Sequence, residues 1–151
     1  MIPHKVKKIL LENNLEALEF EAGSTPTSEM AAAKIDCEVG QIAKSMLFKG
    51  KDGLFRLIVC PGDKRVDNKK LKNALGVKAR FATVEETADQ TGFKPGGVCP
   101  FGLEGLPILI DQSLARFEVI YPAAGNDASA VTVGFDQLTK LIGAEVCDVM
   151  G

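Results

Sequence analysis

Two features of the sequence could bind an anion. Lys44 lies in the apolar segment QIAKSMLFKG, where a lysine that points into a pocket could hold a phosphate group. The segment GGVCP, from Gly96 to Pro100, has glycines that let a ligand approach the backbone and successive N–H groups that can form an anion-binding nest. Each feature also has an ordinary interpretation: Lys44 as a solvated residue at a strand end, and the glycine-rich segment as a connecting turn.

Reactive side chains are scarce elsewhere in the chain. The single histidine, His4, is near the N-terminus, and the four cysteines are scattered without a CxxC pair. The residues therefore predict neither His-based catalysis nor a metal site or disulfide framework. Cys99 could be a nucleophile, although no group that would activate its thiol is evident. No GxGxxG follows the first predicted strand and no GxxxxGK(S/T) occurs, so we expect no cofactor.

Length and composition predict one ordinary globular domain. The 151 residues are 46% hydrophobic and 25% charged, with a net charge of −2, which is not the basic balance expected of a general nucleic-acid binder. The net charge hides how the charges are distributed, so a local basic surface remains open. No apolar run reaches membrane-spanning length and no secretory signal pattern is present, so we expect a cytoplasmic protein without a membrane partner.

Apolar periodicity, caps and turn residues predict the elements that would position Lys44 and the glycine-rich segment. A helix is expected to start at Thr25, and an Asp-Gly turn at 52–53 is expected to join two strands as a hairpin. The predicted helices span 3–14, 25–35, 68–75, 83–91 and 136–142. The predicted strands span 17–21, 41–49, 54–60, 78–82, 106–110, 117–121, 130–135 and 144–149, with AAGNDAS as the turn between the two strands at 117–121 and 130–135. This mixture of elements indicates a single α/β domain with a mixed, curled sheet.

The two candidate features occur in the order found in one known family. The sequence resembles the YbaK and prolyl-tRNA-synthetase-associated editing domains, whose free-standing members hydrolyse mischarged aminoacyl-tRNAs in trans. The resemblance runs nearly end to end and is carried by IAKSMLF, DNKKLKNALGVKARFATVEE, TGFKPGGVCPFG, LPILID and FEVIYPAAG. It implies one editing domain over residues 1–151, with a barrel-like mixed sheet of about six to eight strands flanked by helices.

The resemblance also implies roles for individual residues. Lys44 matches the family's pocket lysine, which implies that it contacts the terminal phosphate or orients the tRNA 3′ end. The family's GxxxP loop matches five residues, whose backbone N–H groups are implied to bind the aminoacyl carbonyl and the terminal ribose: Gly96, Gly97, Val98, Cys99 and Pro100. Further candidates for substrate binding are Phe20, Thr25, Ser28, Ser45 and Asp127.

One position departs from the family pattern. Some members carry an Asp or His near position 130, where this chain has Ala130, which supplies neither charge nor proton. The implied function is hydrolysis of the ester at the 3′ end of a mischarged tRNA, with the substrate's own hydroxyl orienting the water and an aminoacyl-tRNA synthetase as a candidate partner. Two alternatives stay open: a non-catalytic tRNA- or synthetase-binding module of the same fold, and a thiol enzyme that uses Cys99.

Overall fold

The helices form where caps and stop residues predict them, apart from one start. In this computed structural model, which describes residues 1–151, the Asp67 side chain accepts hydrogen bonds from two N–H groups of the following turn, and the Thr83–Glu86 capping box is formed. Three helices end at a glycine with left-handed backbone geometry: Gly76, Gly92 and Gly143. The helices are α1 (His4–Glu12), α2 (Ser28–Ile35), α3 (Asn68–Leu75), α4 (Val84–Thr91) and α5 (Phe135–Ile142).

The predicted start of α2 at Thr25 is wrong. The helix begins at Ser28, and Thr27 is its N-cap, with a side-chain oxygen that accepts a hydrogen bond from the N–H of Met30. Thr25 is instead held by a distant segment, because its N–H donates to the carbonyl of Asp127 at 2.7 Å. A long-range hydrogen bond thus decides between two threonines that are locally almost equivalent as caps.

Eight strands form two sheets. Their bounds are β1 (Ala17–Glu19), β2 (Ile42–Gly50), β3 (Phe55–Pro61), β4 (Ala79–Phe81), β5 (Ile108–Asp111), β6 (Tyr121–Pro122), β7 (Ser129–Val131) and β8 (Glu145–Cys147). The larger sheet has the order β4-β2-β3-β5-β8, with β6 also paired to β2, and the smaller sheet is β1-β7. Antiparallel and parallel pairs both occur, so the predicted mixed sheet is confirmed. The path from β4 to β8 is open, and the predicted barrel-like closure is not confirmed.

The prediction for residues 117–135 is only partly correct. A 3-10 helix occupies Gln112–Arg116, where the Asp111 side chain accepts a hydrogen bond from the N–H of Ser113 at 2.9 Å. The strands that follow are short and do not form a regular hairpin: β6 pairs with β2, and β7 pairs with β1. A single bridge between Ile120 and Val133 links the two predicted strands, because each has a stronger partner elsewhere in the fold.

The hydrophobic core covers both faces of β3. Leu57 and Val59 belong to the larger cluster of buried residues, whereas Ile58 and Cys60 belong to a second cluster that contains Leu71 of α3. The alternation is that of a strand buried on both sides. No helix is both long and apolar enough to cross a membrane.

The neighbouring strand β2 is paired on its other edge only in part. β6 covers Ile42 and Ala43, and β4 covers the opposite end, from Phe48 to Gly50. Between these pairings, residues 44–46 have no partner on that edge, and the Leu47 carbonyl accepts a hydrogen bond from the N–H of Ala82 at 2.9 Å. A rigid strand thus presents a short open edge, flanked by β6 on one side and β4 on the other, and this opening is where the candidate site forms.

Candidate active site

A cleft of about 370 Å³ lies over the open edge of β2. Its volume is within the range of small-ligand sites. Five parts of the fold line it: the segment that leads into α2, the strand β2, the connection from β4 to α4, the glycine-rich segment and the β6–β7 region. The residues that line the cleft include Thr25, Ser28, Lys44, Ser45, Phe81, Val84, Gly96, Val98, Tyr121, Ser129 and Ala130. Lys44 and the glycine-rich segment, about fifty residues apart in sequence, therefore face one cleft.

Lys44 is the only charged residue in the lining. Its side chain is exposed and makes no hydrogen bond, and no carboxylate lies within ion-pair distance of its ammonium group. The lining contains no Asp, Glu, His or Cys. The cleft therefore offers an uncompensated positive charge to an anion, and it contains no carboxylate or imidazole that could act as a general base.

The glycine-rich segment has unpaired main-chain donors beside the cleft. The N–H of Gly97 donates to the carbonyl of Lys94 at 3.0 Å and closes a turn, whereas the N–H groups of Gly96 and Val98 donate to no acceptor within the protein. Gly96 and Val98 line the cleft, and Gly97 does not. Two donors are thus available to a carbonyl or phosphate oxygen, and the turn at Gly97 fixes their spacing.

Gly96 and Gly97 pack closely against the backbone of neighbouring chain segments, where a larger residue would not fit without a shift. Gly96 has a φ of +83°, and a Cβ added there would lie 3.3 Å from the Cβ of Asp127 and from the Cα of Pro26. A Cβ at Gly97 would lie 2.7 Å from the Cα of Asn126, which is closer than real side chains approach. The residue type at 96–97 thus allows the loop to sit directly on the neighbouring backbone.

Two buried hydroxyl groups in the lining have no hydrogen-bond partner. Thr25 is 6% exposed and Ser45 is 8% exposed, and neither the Thr25 Oγ1 nor the Ser45 Oγ meets a donor or acceptor. Burying a hydroxyl unpaired costs about 1–3 kcal/mol, so such groups in a cleft are candidates for ligand contacts. The hydroxyl of Ser129 differs, because its oxygen accepts a hydrogen bond from the N–H of Ala124 at 3.2 Å.

The main chain of Ser45 faces the same opening. The Ile42 carbonyl accepts from the N–H of Gly62, and the N–H of Gly50 donates to the carbonyl of Leu54, so even-numbered residues of β2 bond to the β3 side. In an antiparallel pair, successive residues direct their N–H and C=O groups to alternate edges of the strand. The N–H and C=O of the odd-numbered Ser45 therefore face the open edge. Ser45 thus offers a backbone donor, a backbone acceptor and a hydroxyl to a ligand.

Five predicted site residues do not line the cleft: Phe20, Gly97, Cys99, Pro100 and Asp127. Asp127 instead fastens the segment before α2, since its Oδ1 accepts from the N–H of Gly23 at 3.2 Å and its carbonyl accepts from Thr25. Its position favours a role in holding Thr25 in place. Ser28 does line the cleft.

Sequence reasoning missed the apolar rim of the cleft. Phe81 is 58% exposed and Val84 is 63% exposed, although both line the cleft. The Phe81 ring packs on Phe48, with ring centroids 4.7 Å apart, so one of its faces is fixed by the core. Apolar residues on both sides of the capping residue Thr83 were the only signal in the sequence that could have indicated this rim.

The family assignment follows from comparison with known sequences. The family described as the aminoacyl-tRNA editing domain matches residues 22–141. The chain belongs to the aminoacyl-tRNA editing domain family. The family resemblance predicted from the sequence is thereby confirmed, and the matched region contains every residue that lines the cleft.

Individual relatives agree with this assignment. The chain is 41% identical over 126 residues to the uncharacterized protein YwhH of Bacillus subtilis (strain 168), covering 83% of this chain and 80% of that protein. It is 40% identical over 90 residues to a proline–tRNA ligase of Bacillus licheniformis, where the match covers 59% of this chain but only 16% of the ligase. A crystal structure of a protein proposed to be a trans-editing enzyme for prolyl-tRNA synthetase superposes with a TM-score of 0.89 at 32% identity, covering 100% of this chain and 99% of that one.

The editing-domain assignment gives Ala130 its significance. Ala130 is 2% exposed, lies in β7 opposite Leu18 of β1 and lines the cleft. Ala130 contributes only a methyl group to the cleft, and this is the region where the family resemblance led us to expect an Asp or His in some members. This chain therefore lacks a side-chain base at that point of the cleft.

The thiol of Cys99 is a poor nucleophile in this fold. The side chain is fully buried, and burial raises the pKa of the Cys99 thiol to about 12. A thiol with that pKa is almost entirely protonated at neutral pH, and thiolate is the reactive form. The thiol-enzyme alternative therefore has no support in the geometry.

We expect the Cys99→Ala protein to be as active as the parent protein in an editing assay, because the Cys99 side chain does not reach the cleft. The measurement is the deacylation rate beside a thermal melt. Cys60→Ala is the matched control, since Cys60 is also fully buried and lies outside the lining. A folded Cys99→Ala protein that is inactive, beside an active Cys60→Ala protein, would contradict this expectation.

Proposed function

We propose that this chain is a trans-editing hydrolase that deacylates mischarged aminoacyl-tRNA at the 3′ end. The observation that carries the proposal is the meeting of Lys44 with the free N–H groups of Gly96 and Val98 in one cleft of an editing-domain fold. A cation and a pair of main-chain donors suit a substrate that has both a phosphate and an ester carbonyl.

The cleft suggests how the substrate is held. The Lys44 ammonium group pairs with a phosphate near the 3′ terminus, and the N–H groups of Gly96 and Val98 donate to the ester carbonyl. The unpaired hydroxyls of Thr25 and Ser45 lie where they can meet polar groups of the amino acid or the ribose. The exposed face of Phe81 is available for the terminal base, since aromatic rings stack on bases without sequence preference.

Hydrolysis in this cleft relies on positioning. A water oxygen attacks the ester carbonyl, the oxyanion that forms is held by the two loop N–H groups, and the C–O bond to the ribose then breaks as the ribose oxygen takes a proton. Because the lining has no carboxylate or imidazole, we propose that the substrate's neighbouring hydroxyl relays the proton: it takes the proton of the attacking water and gives its own to the departing ribose oxygen, or solvent water carries the proton instead. Correct orientation of reactants accounts for several kcal/mol of a barrier.

Selection of the amino acid then depends mainly on the size of the cleft. A difference of one methylene is worth only about 1–3 kcal/mol, so an apolar pocket alone discriminates weakly. The two unpaired hydroxyls, of Thr25 and Ser45, add a requirement for polar groups on the ligand. We propose that the correct amino acid does not fit the cleft, so that correctly charged tRNA is not hydrolysed.

The competing proposal is a binding module that holds tRNA or a synthetase without turnover. The methyl group of Ala130 at the cleft favours it, because the position supplies no base. The two proposals differ in one observable, since a binding module would bind tRNA and release no amino acid.

A panel of mischarged tRNAs distinguishes the two. We expect the purified protein to release the amino acid from at least one of Ala-, Cys-, Ser- or Thr-charged tRNAs whose anticodons specify another amino acid. The same tRNA carrying its correct amino acid is the control and should be spared. Failure to deacylate any member of the panel at high enzyme concentration, beside normal tRNA binding, would favour the binding module.

A further inference from the structure

The charges of this chain are strongly segregated along the sequence. Residues 49–80 contain ten Lys or Arg residues against three Asp residues, a net charge of +7, whereas the whole chain has a net charge of −2. The remaining residues thus carry a net charge of −9. We call residues 49–80, which run from the end of β2 through β3 and α3 to β4, the basic region of this otherwise acidic chain.

Part of this region forms a second depression, at the pairing of β2 with β4. It has a volume of about 360 Å³ and is lined by Lys49, Gly50, Lys51, Lys78, Ala79 and Arg80. Four of these six residues are cationic. The N–H of Lys51 donates to the carbonyl of Lys78 at 2.8 Å, which holds the two lysines side by side at the rim.

The cations of the depression are only partly neutralised. Arg80 forms a bidentate pair with Glu86 at 2.8 and 3.1 Å, and Lys49 lies 3.6 Å from the same carboxylate. Lys51 and Lys78 are exposed and form no ion pair. The single carboxylate leaves a local excess of about three positive charges, which a phosphate-bearing partner can neutralise.

The depression adjoins the cleft along two elements. Lys49 follows Lys44 by five residues on β2, which at about 3.3–3.4 Å per residue separates their Cα atoms by roughly 17 Å. On the other side, Arg80 lines the depression and the next residue, Phe81, lines the cleft. Side chains at odd spacing on a strand point to opposite faces, so Lys44 and Lys49 lean to opposite faces of β2, as Phe81 and Arg80 do on β4. The cleft and the depression are thus neighbours on either side of the short β4 edge, and a nucleic acid whose end occupies the cleft can reach the depression across that edge.

We propose that this depression binds the phosphate backbone of the acceptor arm while the tRNA 3′ end lies in the cleft. The identity of the RNA rests on the proposed function, and the phosphate chemistry rests on the charge distribution alone. Contacts of this kind are independent of base sequence and set affinity and register. Lys51 and Lys78 are positioning residues, since they lie outside the lining of the cleft.

The test is the double variant Lys51→Glu/Lys78→Glu with uncharged tRNA, measured by fluorescence anisotropy over a range of salt concentrations. We expect affinity to fall by at least about tenfold at low salt and the slope of log K against log salt to fall by about two, one for each phosphate that is no longer neutralised. The matched control is Lys7→Glu/Lys140→Glu, two exposed lysines without ion pairs outside the basic region, which changes the net charge equally.

A second measurement separates this inference from the proposed hydrolysis. With a mischarged full-length tRNA, the Lys51→Glu/Lys78→Glu protein should show a raised KM, whereas a short aminoacylated 3′ oligonucleotide should be hydrolysed at the unchanged rate. The inference would be overturned if the Lys51→Glu/Lys78→Glu protein kept the parent's affinity and salt slope for tRNA, or if the control variant lost as much affinity. Unchanged tRNA binding is the result expected if this surface binds an acidic protein instead. Loss of tRNA affinity in a protein that deacylates nothing would overturn the proposed hydrolysis and leave the inference standing.

Discussion

Lys44→Ala is expected to lower kcat/KM for a mischarged tRNA by about 10–100-fold, because a hydrogen bond to a charged group contributes roughly 1.5–3 kcal/mol. Lys44 is the one charged residue of the cleft, and its ammonium group has no hydrogen-bond or ion-pair partner within the protein. Removing that group therefore costs the folded state little. The thermal midpoint should stay close to that of the parent protein while the deacylation rate falls.

The controls for Lys44 separate charge from geometry. Lys140→Ala removes another exposed lysine, on α5, and should leave the rate unchanged. Lys44→Arg keeps the charge and should recover part of the rate, although the guanidinium group is larger and planar. If Lys44→Ala hydrolyses the substrate as fast as Lys140→Ala does, Lys44 does not hold a phosphate in the reaction.

The sequence predicted those elements whose ends are set by local chemistry. Asp67 caps α3 and the Thr83–Glu86 box caps α4, and both form as expected because their hydrogen bonds join residues two or three positions apart. The hairpin of β2 and β3 was also predictable, since an Asp-Gly turn joins two apolar runs. These features depend on neighbouring residues alone, so no knowledge of the tertiary structure was needed.

The errors lie where distant segments decide the structure. The choice of Thr27 over Thr25 as the cap of α2 depends on a hydrogen bond from Thr25 to residue 127. The division of β6 and β7 between two sheets depends on pairing with β2 and β1, far away in sequence. Local patterns contain no information about such partners, and the short strands give a weak periodic signal.

The candidate site also has a part that could be predicted from the sequence and a part that could not. The meeting of Lys44 with Gly96 and Val98 was expected from the family resemblance, whereas the residues alone left both features with ordinary interpretations. The open edge of β2 and the exposed ring of Phe81 could not be predicted, because each results from where β4 and β6 stop pairing with β2. The groups of the cleft that we expect to contact the substrate are mainly backbone N–H groups. Almost every residue type has such a group, so the sequence marks their position only through the glycines beside them.

The glycines themselves provide the second large test. Gly97→Ala is expected to lower the deacylation rate by at least about 10²–10³-fold, which is the cost of losing one donor from an oxyanion site, because it would displace both donors of the loop. The added Cβ would lie 2.7 Å from the Cα of Asn126, with the N and C atoms of Asn126 at 3.0 Å. Since backbone rather than a flexible side chain is in the way, the loop must move. That movement displaces the N–H groups of Gly96 and Val98 from the substrate.

Gly105→Ala is the matched control for this substitution. Gly105 has a φ of +70° and open space around the added Cβ, so alanine there costs about 1–2 kcal/mol of backbone strain without moving the cleft. Overpacking at Gly97 costs a comparable 1–3 kcal/mol or so, which makes the two variants similar in stability. Rates should be measured well below both thermal midpoints, with tRNA binding in parallel. Equal activity of the two variants would mean that the main chain of the loop does not bind the carbonyl, whereas loss of turnover confined to Gly97→Ala would assign the oxyanion contact to this backbone.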